Sequence, residues 1–82
     1  MMQPQSIREM IEAGLPGAQA DVFGDDGTHF EARVIAEQFD GQGTLARHRA
    51  VYATLGERMG NDIHALSLKT FTPAEWAERQ AS

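Results

Sequence analysis

The segment between residues 18 and 36 constrains the fold most, because it predicts a β-hairpin. Residues 24–27 read Gly-Asp-Asp-Gly, a composition typical of a tight turn. Residues 18–23 predict a short strand with Ala20 and Val22 on one face. After the turn, apolar and polar residues alternate as in a half-buried strand, and the apolar positions are Phe30, Ala32, Val34 and Ala36. The rest of the chain must be arranged around this hairpin.

Two helices are predicted on either side of the hairpin. Ser6 and Glu9 have the spacing of a capping box, which places the start of the first helix at Ser6, and Pro16 follows its end. The second helix is predicted to begin at Thr44, whose hydroxyl is placed to cap it. Its apolar positions follow helical spacing, and they are Leu45, Val51, Tyr52, Leu55 and Met59.

The last part of the chain predicts a third strand and a third helix. Residues 63–70 have strand character, and residues 72–75 (Thr-Pro-Ala-Glu) form a capping box that opens a short helix carrying Trp76. The order α-β-β-α-β-α predicts an α/β (α+β) fold, a single small domain with a three-stranded mixed sheet and helices on one face. We expect the domain to span residues 6–79, with flexible ends at residues 1–5 and 80–82.

This order predicts two candidate sites at opposite ends of the sheet. A strand, a crossover helix and another strand normally form a right-handed parallel unit, so strands two and three begin at the same end. His29 begins strand two and His64 begins strand three, so we expect the two imidazoles close together beside the acidic turn. The second helix runs back along the sheet, which places Arg47 and Arg49 at the other end.

The histidine pair is the candidate metal site, because imidazole is the soft-metal ligand that this cysteine-free chain offers. Two histidines are half of a coordination sphere, since structural zinc normally takes four protein ligands. One reading is therefore a two-histidine zinc site helped by Asp25 or Asp26. The ordinary alternative is a hydrogen-bonded His64 at the rim of the core and a solvated His29 in the turn.

The remaining candidates lie on the second and third helices. His48 is interpreted as a packing residue on the apolar stripe, and Trp76 as an anchor of the core. Arg47 and Arg49 are the best case for binding an anion or nucleic acid, since cations at a helix start call for an anion nearby, such as Asp40 or an external phosphate. Twelve acidic against seven basic residues, a net charge of −5, oppose a nucleic-acid partner.

Several function classes have no signal in the sequence. No apolar run approaches the ~20 residues that cross a bilayer, and the first residues lack the pattern of a signal peptide, so we expect a cytoplasmic protein without membrane association. No nucleophile elbow, phosphate-binding loop or zinc-protease motif is present, so we expect no enzymatic activity.

Four segments of the chain resemble the BolA family. They are Phe39-Asp40-Gly41, Arg47-His48-Arg49-Ala50-Val51-Tyr52, residues 63–70 (Ile-His-Ala-Leu-Ser-Leu-Lys-Thr) and residues 72–76 (Thr-Pro-Ala-Glu-Trp). The resemblance spans Ile7 to about Arg79, and the last two segments are the most specific. The short hairpin loop ending in His29-Phe30 resembles the small, IbaG-like bacterial branch rather than the longer morphogene-type proteins.

The resemblance implies a fold like a class II KH domain and a function exerted through a partner. Members of the family pair with monothiol glutaredoxins of the CGFS type, and the heterodimer can hold a [2Fe–2S] cluster in iron–sulfur trafficking or assembly, iron sensing or stress response. His64 matches the expected ligand, and His29 is the available second ligand. The glutaredoxin cysteine and glutathione would complete the site, so no cluster is expected to stay tightly bound to the isolated chain.

The resemblance also leaves an alternative function open. A KH-like transcriptional regulator would bind nucleic acid through the Arg47 and Arg49 end of the second helix, a role also proposed within the family. The isolated chain could form a homodimer through an exposed edge strand.

Overall fold

A computed structural model of the chain describes residues 2–81. The elements follow in the order α1 (Pro4–Gly14), β1 (Gln19–Phe23), β2 (His29–Ile35), α2 (Thr44–Leu55), β3 (Ala65–Phe71) and α3 (Pro73–Ala81), with short 3-10 turns at Glu37–Phe39 and Gly56–Arg58. The predicted order α-β-β-α-β-α is confirmed. Met1 and Ser82, which belong to the predicted flexible ends, lie outside the described residues.

The three strands form one mixed sheet in the order β1-β2-β3. β1 and β2 are antiparallel, with Gln19 opposite Ile35, which confirms the hairpin. β2 and β3 are parallel, with His29 opposite Ala65, which confirms the crossover through α2. The starts of β2 and β3 therefore lie at the same end of the sheet. The similarity to a class II KH domain stays a prediction.

The hydrophobic core lies between one face of the sheet and the helices α1 and α2. Alternating residues of β2 are buried on this face, and α1 and α2 contribute side chains with almost no exposed area; the set is Ile7, Ile11, Phe30, Ala32, Val34, Val51 and Leu55. Burying each large apolar side chain contributes roughly 1.5–3 kcal/mol. The alternation in the sequence therefore fixes which face of β2 points inward and which face remains for other uses.

The third helix differs from the prediction that all helices share one face. Trp76 of α3 contacts Phe71, with 5.2 Å between ring centroids, and the Arg33 guanidinium lies 4.4 Å from the indole ring. Arg33 alternates with core residues of β2 and so belongs to the opposite face. Ile35 pairs with Phe71 at this end of the second face, where Trp76 contacts the Phe71 ring. Trp76 is therefore half-buried there and is not an anchor of the core.

The first helix begins earlier than the capping box at Ser6 predicted. Pro4 is its first residue, and the carbonyl of Gln3 accepts a hydrogen bond from the Ser6 amide at 3.0 Å. Proline suits the first helical position because the amide it lacks would have no partner within the helix there. Ser6 therefore lies inside the helix, and its side chain makes no cap.

The second helix buries part of the predicted stripe and leaves the rest exposed. Its N-cap is Gly43 rather than Thr44, and its buried residues are Val51 and Leu55. Leu45 is 64% exposed. It is six residues from Val51, which at 3.6 residues per turn is about a third of a turn away from the buried face. His48 lies three residues from Val51 and is half-buried, near the edge of that face.

The capping box at the start of α3 is confirmed. The Glu75 amide donates to the Thr72 hydroxyl at 3.1 Å, and the Thr72 amide donates to the Glu75 carboxylate at 2.8 Å. Pro73 occupies the first helical position, as predicted. Among residues 2–81, no helix has the length and apolar character needed to span a bilayer.

Both edge strands carry hydrogen bonds from helix side chains to their backbone. On β1, the Ala20 amide donates to the Glu12 carboxylate of α1 at 3.0 Å. On β3, the Tyr52 hydroxyl of α2 donates to the Leu66 carbonyl at 3.2 Å, and Arg47 donates to the Thr70 carbonyl at 3.5 Å. These bonds tie the helices to the edges of the sheet.

Candidate functional site

The structure brings the two predicted histidines together at the end of the sheet where β2 and β3 begin. The imidazole rings of His29 and His64 lie 6.5 Å apart between centroids, with 28° between their planes. Both residues are exposed. Two neighbouring imidazoles facing solvent can bind one metal centre from outside the domain.

The backbone of the hairpin turn holds the start of β3. The Thr28 carbonyl accepts hydrogen bonds from the amides of His64, at 2.9 Å, and Ala65, at 3.3 Å. His64 therefore lies just before the first residue of β3 rather than inside the strand. The proximity of the two rings depends on these bonds as well as on the strand register.

Asp26 connects the turn to the His29 ring. One carboxylate oxygen accepts from the amides of Thr28 and His29, at 2.9 and 2.8 Å, and the other is 2.7 Å from Nδ1 of His29. Hydrogen bonds from the His29 amide, the Thr28 amide and the His29 ring hold the pKa of the Asp26 carboxyl well below its ordinary value. The carboxylate is thus an acceptor across the neutral pH range.

Two glycines make this tight turn possible. Gly27 has a φ of 81°, in the left-handed region that side chains disfavour. At Gly24, an added Cβ would lie 2.5 Å from the Phe30 ring and 2.8 Å from the His29 carbonyl. Both positions therefore favour glycine in the turn that carries Asp26.

The histidine end offers two nitrogen ligands rather than a closed metal site. Because Nδ1 of His29 faces the Asp26 carboxylate, Nε2 is the ring nitrogen left for ligation. Among residues 2–81, no three His, Asp or Glu side chains come together as a metal site. The zinc alternative needed Asp25 or Asp26 as a third ligand, and the Asp26 oxygens are already bonded within the turn.

The other end of the sheet is organised around Arg47. Its guanidinium donates to both oxygens of the Glu75 carboxylate, at 2.7 and 3.1 Å, and its Nε donates to the Gln42 carbonyl at 2.8 Å. The Arg47 side chain is 12% exposed. Its partner was predicted to be Asp40 or an external phosphate, whereas the structure gives it Glu75. Arg49, the second predicted anion contact, is exposed.

The pairing with Glu75 shifts both ionisation equilibria. Hydrogen bonding to Glu75 raises the pKa of Arg47, to which Asp40 adds a smaller effect. Hydrogen bonds from the Arg47 side chain and the Thr72 amide lower the pKa of Glu75 to about 2. Arg47 and Glu75 therefore neutralise each other at this end of the sheet.

Sequence reasoning considered Asp26 only as part of an acidic turn and as a zinc ligand. The sequence does contain a signal for its role in the turn. An aspartate commonly accepts hydrogen bonds from backbone amides two or three residues later, as Asp26 does here. Glu75 was assigned only to the cap of α3. Its bond to Arg47 joins residues 28 positions apart, which no local pattern marks.

Comparison with known proteins places the chain among small bacterial relatives. A sequence model of the family described as BolA-like protein matches residues 11–75. The chain is 38% identical to the acid stress protein IbaG of Escherichia coli (strain K12) over 77 residues, covering 93% of this chain and 90% of IbaG. It is 35% identical over 83 aligned positions to the DNA-binding transcriptional regulator BolA of the same strain, covering 85% of this chain and 79% of that protein.

Other comparisons extend the match to a solved structure and to animals. A BolA protein homologue from Coxiella burnetii superposes with a TM-score of 0.86 at 49% identity, covering 94% of this chain and 99% of the other. Human BolA-like protein 1 is 45% identical over 51 residues, a match covering 62% of this chain and only 37% of the length of the human protein. The chain therefore belongs to the BolA-like protein family, with IbaG and BolA among its bacterial homologues.

Proposed function

We propose that this chain is a non-enzymatic partner of a monothiol glutaredoxin and that His64 and His29 help to bind a shared [2Fe–2S] cluster. The observation that carries the proposal is the pair of exposed imidazoles, 6.5 Å apart between centroids, at one end of the sheet. Because the chain has no cysteine, the thiolate ligands must come from the partner's cysteine and from glutathione. The function is then in iron–sulfur trafficking or assembly, or in iron sensing.

Histidine ligation gives such a site a distinct chemistry. Imidazole in place of thiolate raises the reduction potential of a [2Fe–2S] cluster. It also makes ligation sensitive to protons, since imidazole must be neutral to bind and its unperturbed pKa is ~6.5. The name of IbaG, an acid stress protein, is consistent with a site that responds in this pH range.

The surface beside the histidines suits a protein partner. Phe23, at the end of β1, is 57% exposed and lines the same open depression as His29. Ala65 and Ser67 of β3 also line this depression. The exposed Phe23 ring provides apolar area that a docked glutaredoxin would remove from water.

Anaerobic reconstitution of the two proteins with iron, sulfide and glutathione tests the proposal. We expect a heterodimer whose absorption and circular dichroism spectra differ from those of the glutaredoxin cluster alone. His64→Ala should abolish that difference, and His29→Ala should weaken cluster retention. His48→Ala, which removes an imidazole from α2, is the matched control. A His64→Ala complex with the wild-type spectrum and cluster lifetime would show that the ligand assignment is wrong.

Proton sensitivity gives a second test on the same complex. Lowering the pH from 7.5 to 5.5 should accelerate loss of the cluster or its transfer to an acceptor, because protons compete with iron for imidazole nitrogen. The decay rate is followed by the visible absorption of the cluster. A decay rate that stays constant over this pH range would show that cluster binding is not sensitive to protons.

Nucleic-acid binding remains a second candidate because of the likeness to the regulator BolA. It would use Arg47 and Arg49, but Arg47 already bonds to Glu75, so Arg49 would carry most of the contact. The function predicts binding to a DNA duplex that weakens steeply with added salt and in Arg49→Ala. No measurable binding at low salt would exclude it.

A further inference from the structure

We propose that Asp26 is a positioning residue that holds His29 as the Nδ1–H tautomer, which makes Nε2 the free donor nitrogen of the ring. The use of that nitrogen as a cluster ligand rests on the function proposed above. The tautomer itself does not, because it follows from contacts within this chain.

The contacts around Nδ1 determine which nitrogen carries the proton. Nδ1 lies 2.7 Å from a carboxylate oxygen of Asp26 and 3.0 Å from the Thr28 hydroxyl. A carboxylate only accepts hydrogen bonds, whereas a hydroxyl can donate or accept. The short contact to Asp26 is therefore a hydrogen bond only if Nδ1 is the donor. The lone pair of the neutral ring then lies on Nε2.

The carboxylate is itself fixed in place. Its other oxygen accepts from the amides of Thr28 and His29, and the Thr28 hydroxyl lies 3.4 Å from the same oxygen. Two backbone bonds and one ring bond leave the Asp26 side chain little rotational freedom. The ring of His29 is thus oriented by a rigid turn even though its side chain is 65% exposed.

The same carboxylate also acts on the second histidine through Thr28. The Thr28 amide donates to Asp26, and the Thr28 carbonyl accepts from the His64 amide at 2.9 Å. Asp26 therefore orients one ring directly and supports the backbone that carries the other. A carboxylate bonded to the non-ligating nitrogen of a histidine also increases its basicity as a ligand, and losing such a partner typically costs ~10–100-fold in metal affinity.

Asp26→Asn separates this role from the structure of the turn. The asparagine oxygen can still accept from the two backbone amides, while its NH2 group replaces the oxygen that faces Nδ1. Asp25→Asn is the matched control, since it removes the same charge from the neighbouring turn residue. Asp26→Ser, which keeps a short acceptor for the amides, provides a second variant if Asp26→Asn unfolds.

The first measurement is imidazole nitrogen NMR on the isolated chain at pH 7.5. We expect wild type and Asp25→Asn to show His29 as the Nδ1–H form. Asp26→Asn should convert it to the Nε2–H form, and Asp26→Ser should reduce the Nδ1–H population. An Nε2–H form in wild type, or an unchanged Nδ1–H form in both Asp26 variants, would overturn the proposal.

The second measurement is cluster lifetime in the reconstituted heterodimer. Asp26→Asn should shorten the lifetime about 10–100-fold, a change in the direction expected for His29→Ala, while Asp25→Asn should leave it unchanged. A tautomer that converts without any change in cluster lifetime would overturn the link between Asp26 and ligation. A wild-type chain that forms no cluster would refute the proposed function and leave the tautomer result to stand alone.

Discussion

The two ends of the sheet differ in whether their polar side chains are used within the chain. At one end, the rings of His29 and His64 are exposed and a single short turn orients them. At the other end, the side chain of Arg47 is 12% exposed, and its guanidinium bonds to Glu75 and to backbone carbonyls. Polar groups whose hydrogen bonds are made within the chain stabilise the fold. Exposed rings with a free nitrogen are available to another molecule. The comparison therefore assigns stability to the Arg47 end and supports the ligand role proposed for the histidine end.

The largest expected effect is on stability at the Arg47 end. Arg47→Ala removes bonds to Glu75, Gln42 and Thr70 from a side chain that is 12% exposed, so it should lower the free energy of unfolding by about 2 kcal/mol. Urea denaturation measures the change. Arg49→Ala, an exposed arginine of the same helix, should stay within about 0.5 kcal/mol of wild type. If both variants lowered the free energy of unfolding equally, Arg47 would have no special part in stability.

A smaller effect is expected at the cap of α3. Thr72→Ala removes the hydroxyl that accepts from the Glu75 amide and should cost about 1 kcal/mol. Thr72→Ser keeps that acceptor and should retain most of the stability. The thermal midpoints of the three proteins provide the measurement, and identical midpoints for Thr72→Ala and wild type would show that the cap contributes nothing.

The acid dependence of stability should also report on the Arg47 end. The folded pKa of Glu75 is about 2, below its ordinary value of 4.5, so its contribution is fully present above pH 4.5 and is lost as pH falls toward 2. In Glu75→Gln, unfolding free energy measured against pH should be flatter over that window. The pKa of Asp26 is also lowered, so part of the pH dependence of stability should remain in Glu75→Gln. Glu57→Gln controls for the change in net charge. If the Glu75→Gln profile were as steep as the Glu57→Gln profile, Glu75 would not contribute to the acid dependence of stability.

The smallest effect on stability is expected at the histidine end. His29→Ala and His64→Ala remove exposed rings, so each should change the free energy of unfolding by less than about 0.5 kcal/mol. The same variants should impair cluster retention in the heterodimer. If either one destabilised the isolated chain as much as Arg47→Ala, the histidine end would be a structural element and the comparison would fail.

The parts of the molecule that could be predicted from the sequence depend on local signals and on topology. The alternation at Phe30, Ala32 and Val34 fixes the inward face of β2, and residues 24–27 supply the turn. The handedness of the crossover then places His29 near His64, although 35 positions separate them. The handedness rule thus predicts a contact between distant residues that no local sequence pattern indicates.

The parts that could not be predicted depend on how elements pack after they form. Of the predicted stripe on α2, Val51 and Leu55 are buried, whereas Leu45 is exposed. Trp76 suggests a core residue, but α3 turns onto the second face of the sheet, and the same turn brings Glu75 to Arg47. The orientation of a helix on the sheet depends on the sum of many small contacts. The spacing of apolar residues within one helix does not determine it.

The side-chain bonds to the sheet edges have a consequence for recognition. An edge strand is a ready template for pairing with a strand from another molecule. Here Glu12 occupies a backbone amide of β1, and Tyr52 and Arg47 occupy backbone carbonyls of β3. An incoming strand would have to displace these bonds on either side. Association by strand addition therefore carries the cost of losing these bonds, whether the incoming strand belongs to a second copy or to another protein.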